Sequence, residues 1–385
     1  MQCDMTKWRN RRAFGLGNDI IELTHLTGGG HIVDIHFRGG QINPFWTPRW
    51  KTKEPFDFDP RKDAHVYGPP EVGRLLSGIA GHSLCLDLFG MPSKEEVQTG
   101  CTLHGEAGVQ KWTVRRNKQQ SRAELHFSVA LRRAELSFSR SLLLKRGESV
   151  VYVRETVRNH RPVDYYFQWQ QHAAFGAPFL SPDCIIALPG EHGKTFPPGY
   201  EGRELLKSGK EFAWPFAPRF DRGRVDLQHA LIAPGRGFVA GVQIIPARSH
   251  AFVCVSNPRA RLAVGYCFRR EDFPWIALWE ENAARTSSPW NGREKIRALE
   301  FGVSPLPMSR SENFRLGSLF GTPTLAYVPA KGARTACYTL FLAKLPVGIP
   351  SIADVMVGNR SLDLLGASGK LATSLPAAAI QQYLG

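Results

Sequence analysis

Three residues of this chain have the side chains and settings that proton transfer requires: His104, His172 and Glu300. His104 lies in residues 100–107, GCTLHGEA, an imidazole on a Gly-flanked turn with the carboxylate of Glu106 close by. An imidazole titrates near neutrality and can give or take a proton there, although a loop histidine held by a backbone bond is the plainer reading. His172 lies in residues 169–179, WQQHAAFGAPF, and is expected at or just beyond the end of an apolar strand over 165–169. Small neighbours leave it room, and a satisfied core histidine fits equally well. Glu300 stands inside an apolar run, residues 298–301 (ALEF). A buried carboxylate is costly unless paired or functional. Burial also raises its pKa toward the range that suits a general base. The alternative is a Glu facing water from an edge strand.

A second group, residues 273–282 (FPWIALWEEN), sets Trp275 and Trp279 in strand-like alternation before Glu280 and Glu281. Aromatic faces stack on the apolar faces of ring ligands and carboxylates bind hydroxyls, though a Trp on such a strand is usually core. Glu281 is the reserve candidate for the base.

The elements that must position these groups read as strands. Residues 30–37, 123–131, 135–144 and 150–157 alternate apolar with polar side chains, and the last three follow one another with turn residues such as Lys145-Arg146-Gly147-Glu148 between. That is the pattern of an antiparallel meander. Residues 237–245, 250–256, 262–268 and 335–345 repeat it. Residues 354–365 are a weak helix candidate, and residues 92–97 fit a single helical turn. Long loops over 44–73 and 190–224 are rich in Pro, Gly and aromatics, as site-bearing loops on a β scaffold often are. No linker, short repeat or low-complexity tract divides the chain. The expectation is an all-β protein, a single large antiparallel β-sandwich over 1–385, with about 15 N-terminal and about 35 C-terminal residues peripheral.

Composition narrows the partners. The 49 Lys and Arg against 34 Asp and Glu give a net charge of +15, which favours acidic partners. The basic residues are dispersed along strand-like segments and no nucleic-acid motif accompanies them, so no nucleic-acid partner is expected. No apolar run approaches a membrane span, and the first twelve residues carry no apolar core of a secretory signal, so no membrane partner is expected. The seven cysteines are odd in number, scattered and never in a CxxC pair, which fits reduced thiols in a cytoplasmic protein rather than a disulfide framework or zinc ribbon. His82, His104, His172 and Glu106 could converge on a metal, but their spacing matches no metal motif; neither a metal nor a cofactor is expected.

Four segments together resemble the galactose mutarotase (aldose 1-epimerase) superfamily. Val72-Gly73-Arg74 through Ile79-Ala80 is similar to its "GRxxNRI" stretch, and Leu103-His104-Gly105 to its "LHGG" segment. Residues 156–159 (TVRN) running to residues 172–175 (HAAF) resemble its "N…HxYF" strand pair, and Leu299-Glu300-Phe301 its late "LEP" strand. The resemblance implies a supersandwich fold and acid–base isomerisation of a sugar. Glu300 would take the anomeric hydroxyl proton, His172 would protonate the ring oxygen, and His104 would assist there. A buried Glu and a His supply such chemistry without a cofactor. Two departures stand out. Gly78 occupies the place of the family's sugar-binding Arg, for which Arg74 or His82 would have to substitute, and Glu106 replaces a Gly. The binding Asp has no clear counterpart; Asp221, Asp226 and Asp272 are the candidates. The implied substrate-binding set is Arg74, His82, Glu106, Trp279 and Glu281, in a monomer or homodimer. The charge leaves room for an acidic or phosphorylated sugar. Two other readings remain open: a carbohydrate-binding protein without catalysis, and a lyase or hydrolase acting on an oligosaccharide.

Overall fold

The computed structural model describes every residue except Pro198 and Glu201. Two large antiparallel sheets dominate it. The larger has twelve strands, running Gln2–Trp8, Arg11–Gly17, Ile21–Leu26, Ile32–Phe37, His82–Asp87, Tyr165–Gly176, Lys295–Gly302, Trp275–Asn282, Arg236–Ile244, Gly190–Thr195 and Glu211–Ala213, with Ala326–Val328 paired to the start of Tyr165–Gly176. The smaller has eight: Ile185–Ala187, His250–Asn257, Leu262–Arg269, Ala333–Lys344, Val150–Asn159, Leu136–Lys145, Arg122–Leu131 and Thr113–Lys118. Leu84, Trp169, Leu278 and Leu299 of the larger sheet share one apolar core with Phe127, Val153, Val264 and Leu340 of the smaller.

Alternation produces this packing. In Arg122–Leu131 the residues Ala123, Leu125, Phe127, Val129 and Leu131 are buried while their neighbours are exposed or half-buried. Period-two patterning of this kind fixes which face meets the core. The central strands of the larger sheet are buried on both faces, because loops and short helices cover the face turned away from the core. Two of those helices, Pro60–Tyr67 and Pro70–Leu76, arise in or across the end of the segment 44–73 expected to be loop. Their signal was local: Asp59 accepts from the Arg61 amide at 3.0 Å and Pro60 opens the helix, a favoured N-terminus.

Residues 354–365 are not helical. They form the strands Asp354–Val357 and Ser361–Leu365, joined with Leu371–Pro376 in a small sheet. Leu362 and Leu364 are buried with half-buried neighbours between them, a period of two. This sheet and the helix Ile380–Leu384 pack Leu362, Leu364 and Ile380 on Tyr152, Phe252 and Phe341 of the smaller sheet. At the other terminus, Gln2–Trp8 and Arg11–Gly17 form one edge of the larger sheet. All seven cysteines are unpaired and buried. No helix among the described residues is long and apolar enough to cross a membrane.

Candidate active site

A row of side chains crosses the covered face of the larger sheet. Register pairs Ser83 with His172, His172 with Glu300, Glu300 with Ala277, and Ala277 with Gly241. Two members are functional groups and the rest are small. His172 therefore lies well inside the strand Tyr165–Gly176, not at its end as the sequence suggested. The strand continues because Ala173 and Phe175 fill the core on one face, while Ala174 leaves room on the other for the indole cluster of Trp46, Trp279 and Trp290.

His172 Nε2 stands 3.3 Å from Glu300 Oε1, with both side chains almost fully buried. His104 approaches from the loop after the short helix Lys94–Gln98, its ring centroid 5.1 Å from that of His172. It adopts a left-handed backbone with φ of 64°, unusual outside glycine and frequent at functional positions. Its Nδ1 lies 2.5 Å from the Phe89 carbonyl oxygen. A carbonyl can only accept, so Nδ1 carries the hydrogen and the neutral ring's Nε2 is left as an acceptor. The Trp279 indole flanks His172 at 5.5 Å between centroids.

Desolvation controls the charge of all three groups. It pushes the Glu300 carboxyl well above its ordinary value. It holds His172 down to about 3, with the nearby His104 adding to the effect, and His104 down to about 4 against the opposing bond to Phe89. Each group favours its neutral form, so His172 and Glu300 share a single proton over a wide pH range. Titration then belongs to the pair rather than to either residue.

These groups form the floor of a cavity of about 440 Å³. One wall is Val72, Leu75, Leu76 and Ile79; another is Phe196, Leu206, Phe238 and Val239; Trp279 and Trp290 close a third side. Trp279, singled out in the sequence, stands at the cavity. Arg285, Tyr200 and Glu204 also line it and carried no recognisable sequence signal. Arg285 is the one guanidinium among the described lining residues. It packs over the rings of Tyr200, Trp290 and Trp279 at 4.5, 4.9 and 5.7 Å and pairs with Glu281 at 3.4 Å.

Four sequence candidates lie away from this cavity. His82, next to Ser83, points the opposite way because strand neighbours alternate faces. It sits between the sheets with Nε2 3.0 Å from Gln171 Oε1 and Nδ1 2.9 Å from the Tyr266 hydroxyl. Glu106 accepts from the backbone amides of Arg133 and Ala134 at 3.1 and 3.0 Å, a structural use of its carboxylate. Arg74 is exposed on the outer side of the helix Pro70–Leu76. Glu281 accepts from the amides of Ala284 and Arg285, so it anchors the loop that carries Arg285 and does not reach the cavity as a base. With His82 turned inward, the four-residue convergence on a metal is not made.

Gly78 offers no place for a substrate-binding side chain. A Cβ there would come within 2.8 Å of Pro55, and its carbonyl accepts from Arg11 at 2.6 Å. Asp221 pairs with Arg219 and Asp272 with Arg269, both away from the cavity, and Asp226 accepts from the Gln228 amide.

No protein-family model and no curated protein matches the sequence. Solved structures do match over most of the chain. A protein of Klebsiella pneumoniae provisionally described as an aldose 1-epimerase superposes with a TM-score of 0.64 at 14% identity, covering 88% of this chain and 81% of that one. A galactose mutarotase-like protein from Clostridium acetobutylicum gives 0.60 at 13% identity, covering 90% and 99%. A TPR-domain-containing protein from Parabacteroides distasonis gives 0.58 at 11% identity, covering 90% of this chain but 49% of its own length. The chain has the galactose mutarotase-like sandwich fold, in a divergent form.

Proposed function

We propose that this protein interconverts the anomers of a sugar by acid–base opening and closing of its hemiacetal ring. The observation that carries the reading is the His172–Glu300 pair, 3.3 Å apart and buried beside His104 at the floor of a cavity on this fold. Glu300, as carboxylate, takes the proton of the anomeric hydroxyl. His172, bearing the pair's proton, gives it to the ring oxygen, and the C1–O5 bond breaks to leave the open aldehyde. Rotation about C1–C2 and the reverse transfers give the other anomer. Burial disfavours the charged His172–Glu300 form; hydroxyl groups of a bound sugar would replace the missing hydration and favour it. The unpartnered Nδ1 of His172 and the acceptor Nε2 of His104 remain for ring or hydroxyl oxygens.

The test is exchange NMR of anomeric protons across aldoses, uronic acids and sugar phosphates. Acceleration by the wild type and its loss in Glu300→Gln and His172→Ala supports the reading; no acceleration with any sugar overturns it. One observation favours a second reading, a sugar-binding protein without catalysis: Gly78 cannot carry the guanidinium of the family pattern. That reading expects saturable binding with no rate effect. For an acidic or phosphorylated sugar, the basic surface would help encounter, but Arg285 is already paired with Glu281 and shares the cavity with Glu204 and Glu300.

A further inference from the structure

Among the described residues the polar groups of the cavity are few, and several are already engaged. The Tyr200 hydroxyl donates to the Glu280 carbonyl at 2.9 Å and accepts from the Trp279 indole at 2.6 Å. Glu204 Oε1 is held by the Tyr200 and Gly202 amides at 3.2 and 3.4 Å. Arg285 is sandwiched among rings and paired with Glu281. Among the described lining residues, the groups with most of their hydrogen-bonding capacity open therefore gather at the floor, on His104, His172 and Glu300, while the walls add only the second oxygen of Glu204 and the remaining N–H groups of Arg285. Beyond the floor rise aliphatic and aromatic walls.

A bare hexopyranose fits this distribution poorly. Its hydroxyls surround the ring, and each one buried without a partner costs about 1–3 kcal/mol. The floor can satisfy the anomeric hydroxyl, the ring oxygen and a neighbouring group, but hydroxyls farther along would meet Leu75, Ile79, Phe238 and Val239. The volume of 440 Å³ also lies in the range that holds drug-sized ligands, about 300–1,000 Å³.

From this separation of a polar floor and apolar walls we infer that the substrate is an amphipathic cyclic hemiacetal. It would present a free anomeric centre to His172 and Glu300, and its far end would carry an apolar substituent such as an aryl or acyl group. This rests on the proposed ring-opening site and specifies what occupies the rest of the cavity.

Intrinsic tryptophan fluorescence reads binding without turnover, since Trp279 and Trp290 line the cavity. Titrations of the full chain with glucose, galactose and their 6-O-benzyl derivatives, beside anomer-exchange NMR on the same sugars, form the test. Burying one aryl group should tighten binding by about 10- to 100-fold over the parent hexose. Val72→Asn and Val239→Asn should each erode that ratio. Equal or tighter binding of the parent hexose, or no binding of either sugar, overturns the inference. Tight binding of the benzyl sugar without accelerated exchange sustains the preference while refuting the reaction. Accelerated exchange at equal affinity does the reverse.

Discussion

Replacing Glu300 with Gln should make the protein more stable and inactive at once. The carboxyl is buried and titrates well above its ordinary 4.5, with desolvation as the cause. A carboxyl whose folded pKa exceeds its unfolded one contributes stability that is fully present below the unfolded pKa, and loses it as pH rises through the folded value. At pH 8 wild-type Glu300 therefore opposes folding, by about 1.4 kcal/mol for every pH unit between the unfolded pKa and either the folded pKa or pH 8, whichever is lower. Gln keeps the shape, removes the charge, and can donate its amide hydrogen to His172 Nε2 across the same 3.3 Å gap. The variant should melt higher than wild type at pH 8 by about 1–2 °C per kcal/mol in a domain of this size. The difference should shrink as pH falls toward 4.5 and vanish below it, where the carboxyl is neutral in both the folded and the unfolded chain. Anomer exchange should fall by about 10²- to 10⁴-fold with loss of the base. Scanning calorimetry from pH 4.5 to 8.5 beside exchange NMR measures both. A variant less stable than wild type at pH 8, or one whose advantage does not vary with pH, refutes the account of Glu300 as a desolvated carboxylate.

Activity should follow the singly protonated His172–Glu300 pair. A pH–rate profile is expected with its acid limb below the ordinary imidazole value of 6.5, because burial lowers His172 to about 3, and its alkaline limb above the ordinary carboxyl value; an acid limb at or above 6.5 contradicts this. His25, His31, His82, His104 and His172 all have lowered pKa values caused first by burial. The unfolded chain binds protons first at such groups, so their stability is present above pH 6.5 and lost below it. Each can cost up to about 2 kcal/mol by pH 5, offset in part by buried carboxyls with raised values such as Glu280 and Glu300. The urea midpoint should fall between pH 7.5 and pH 5, and an unchanged midpoint would count against neutral burial of these rings. Asp87 is fully buried and holds Arg133 and Arg310 at 2.8 Å each and the Tyr165 hydroxyl at 2.6 Å. Asp87→Ala should cost about 3–5 kcal/mol, because Arg133 loses its counter-ion and Arg310 is left with Glu96 alone at 3.0 Å; a midpoint within error of wild type would show that the cluster relaxes freely.

The sandwich was legible because its strands alternate strongly. Residues 123–131, 150–157 and 262–268 were read within a few residues of Arg122–Leu131, Val150–Asn159 and Leu262–Arg269. Alternation failed at Asp354–Val357 and Ser361–Leu365, where two short strands around a turn imitate a helical spacing of apolar residues. His104, His172 and Glu300 were singled out by their apolar or small neighbours and by the ordered resemblance of four segments, and the structure places them side by side. His82 was misplaced for a reason sequence alone could not reveal: in strands buried on both faces, composition does not say which side a residue takes. Arg285 and Glu204 were missed because they sit on loops whose path over the sheet is set by tertiary contacts, among them the Tyr200 hydroxyl bond to Glu280.

The two faces of the strand Tyr165–Gly176 explain how the site is kept in place. His172 faces the cavity, and its neighbour Gln171 faces the core. There the Gln171 amide nitrogen donates to Glu155 at 2.6 Å, while its oxygen lies 3.0 Å from His82 Nε2 and accepts from Tyr338 at 3.2 Å. Glu155 in turn pairs with Arg140 at 2.6 Å, and both are fully buried. A register slip by one residue would bring His172 into this network and expose Gln171 to the cavity, leaving buried charges unmatched. Apolar side chains alone would tolerate such a slip better, since Ala173 and Ala174 are identical side chains on opposite faces. Buried polar groups are costly when half satisfied, and that cost makes the arrangement specific. The charged layer between the sheets therefore supplies little net stability; its consequence is that Glu300 meets His172 and not a neighbour.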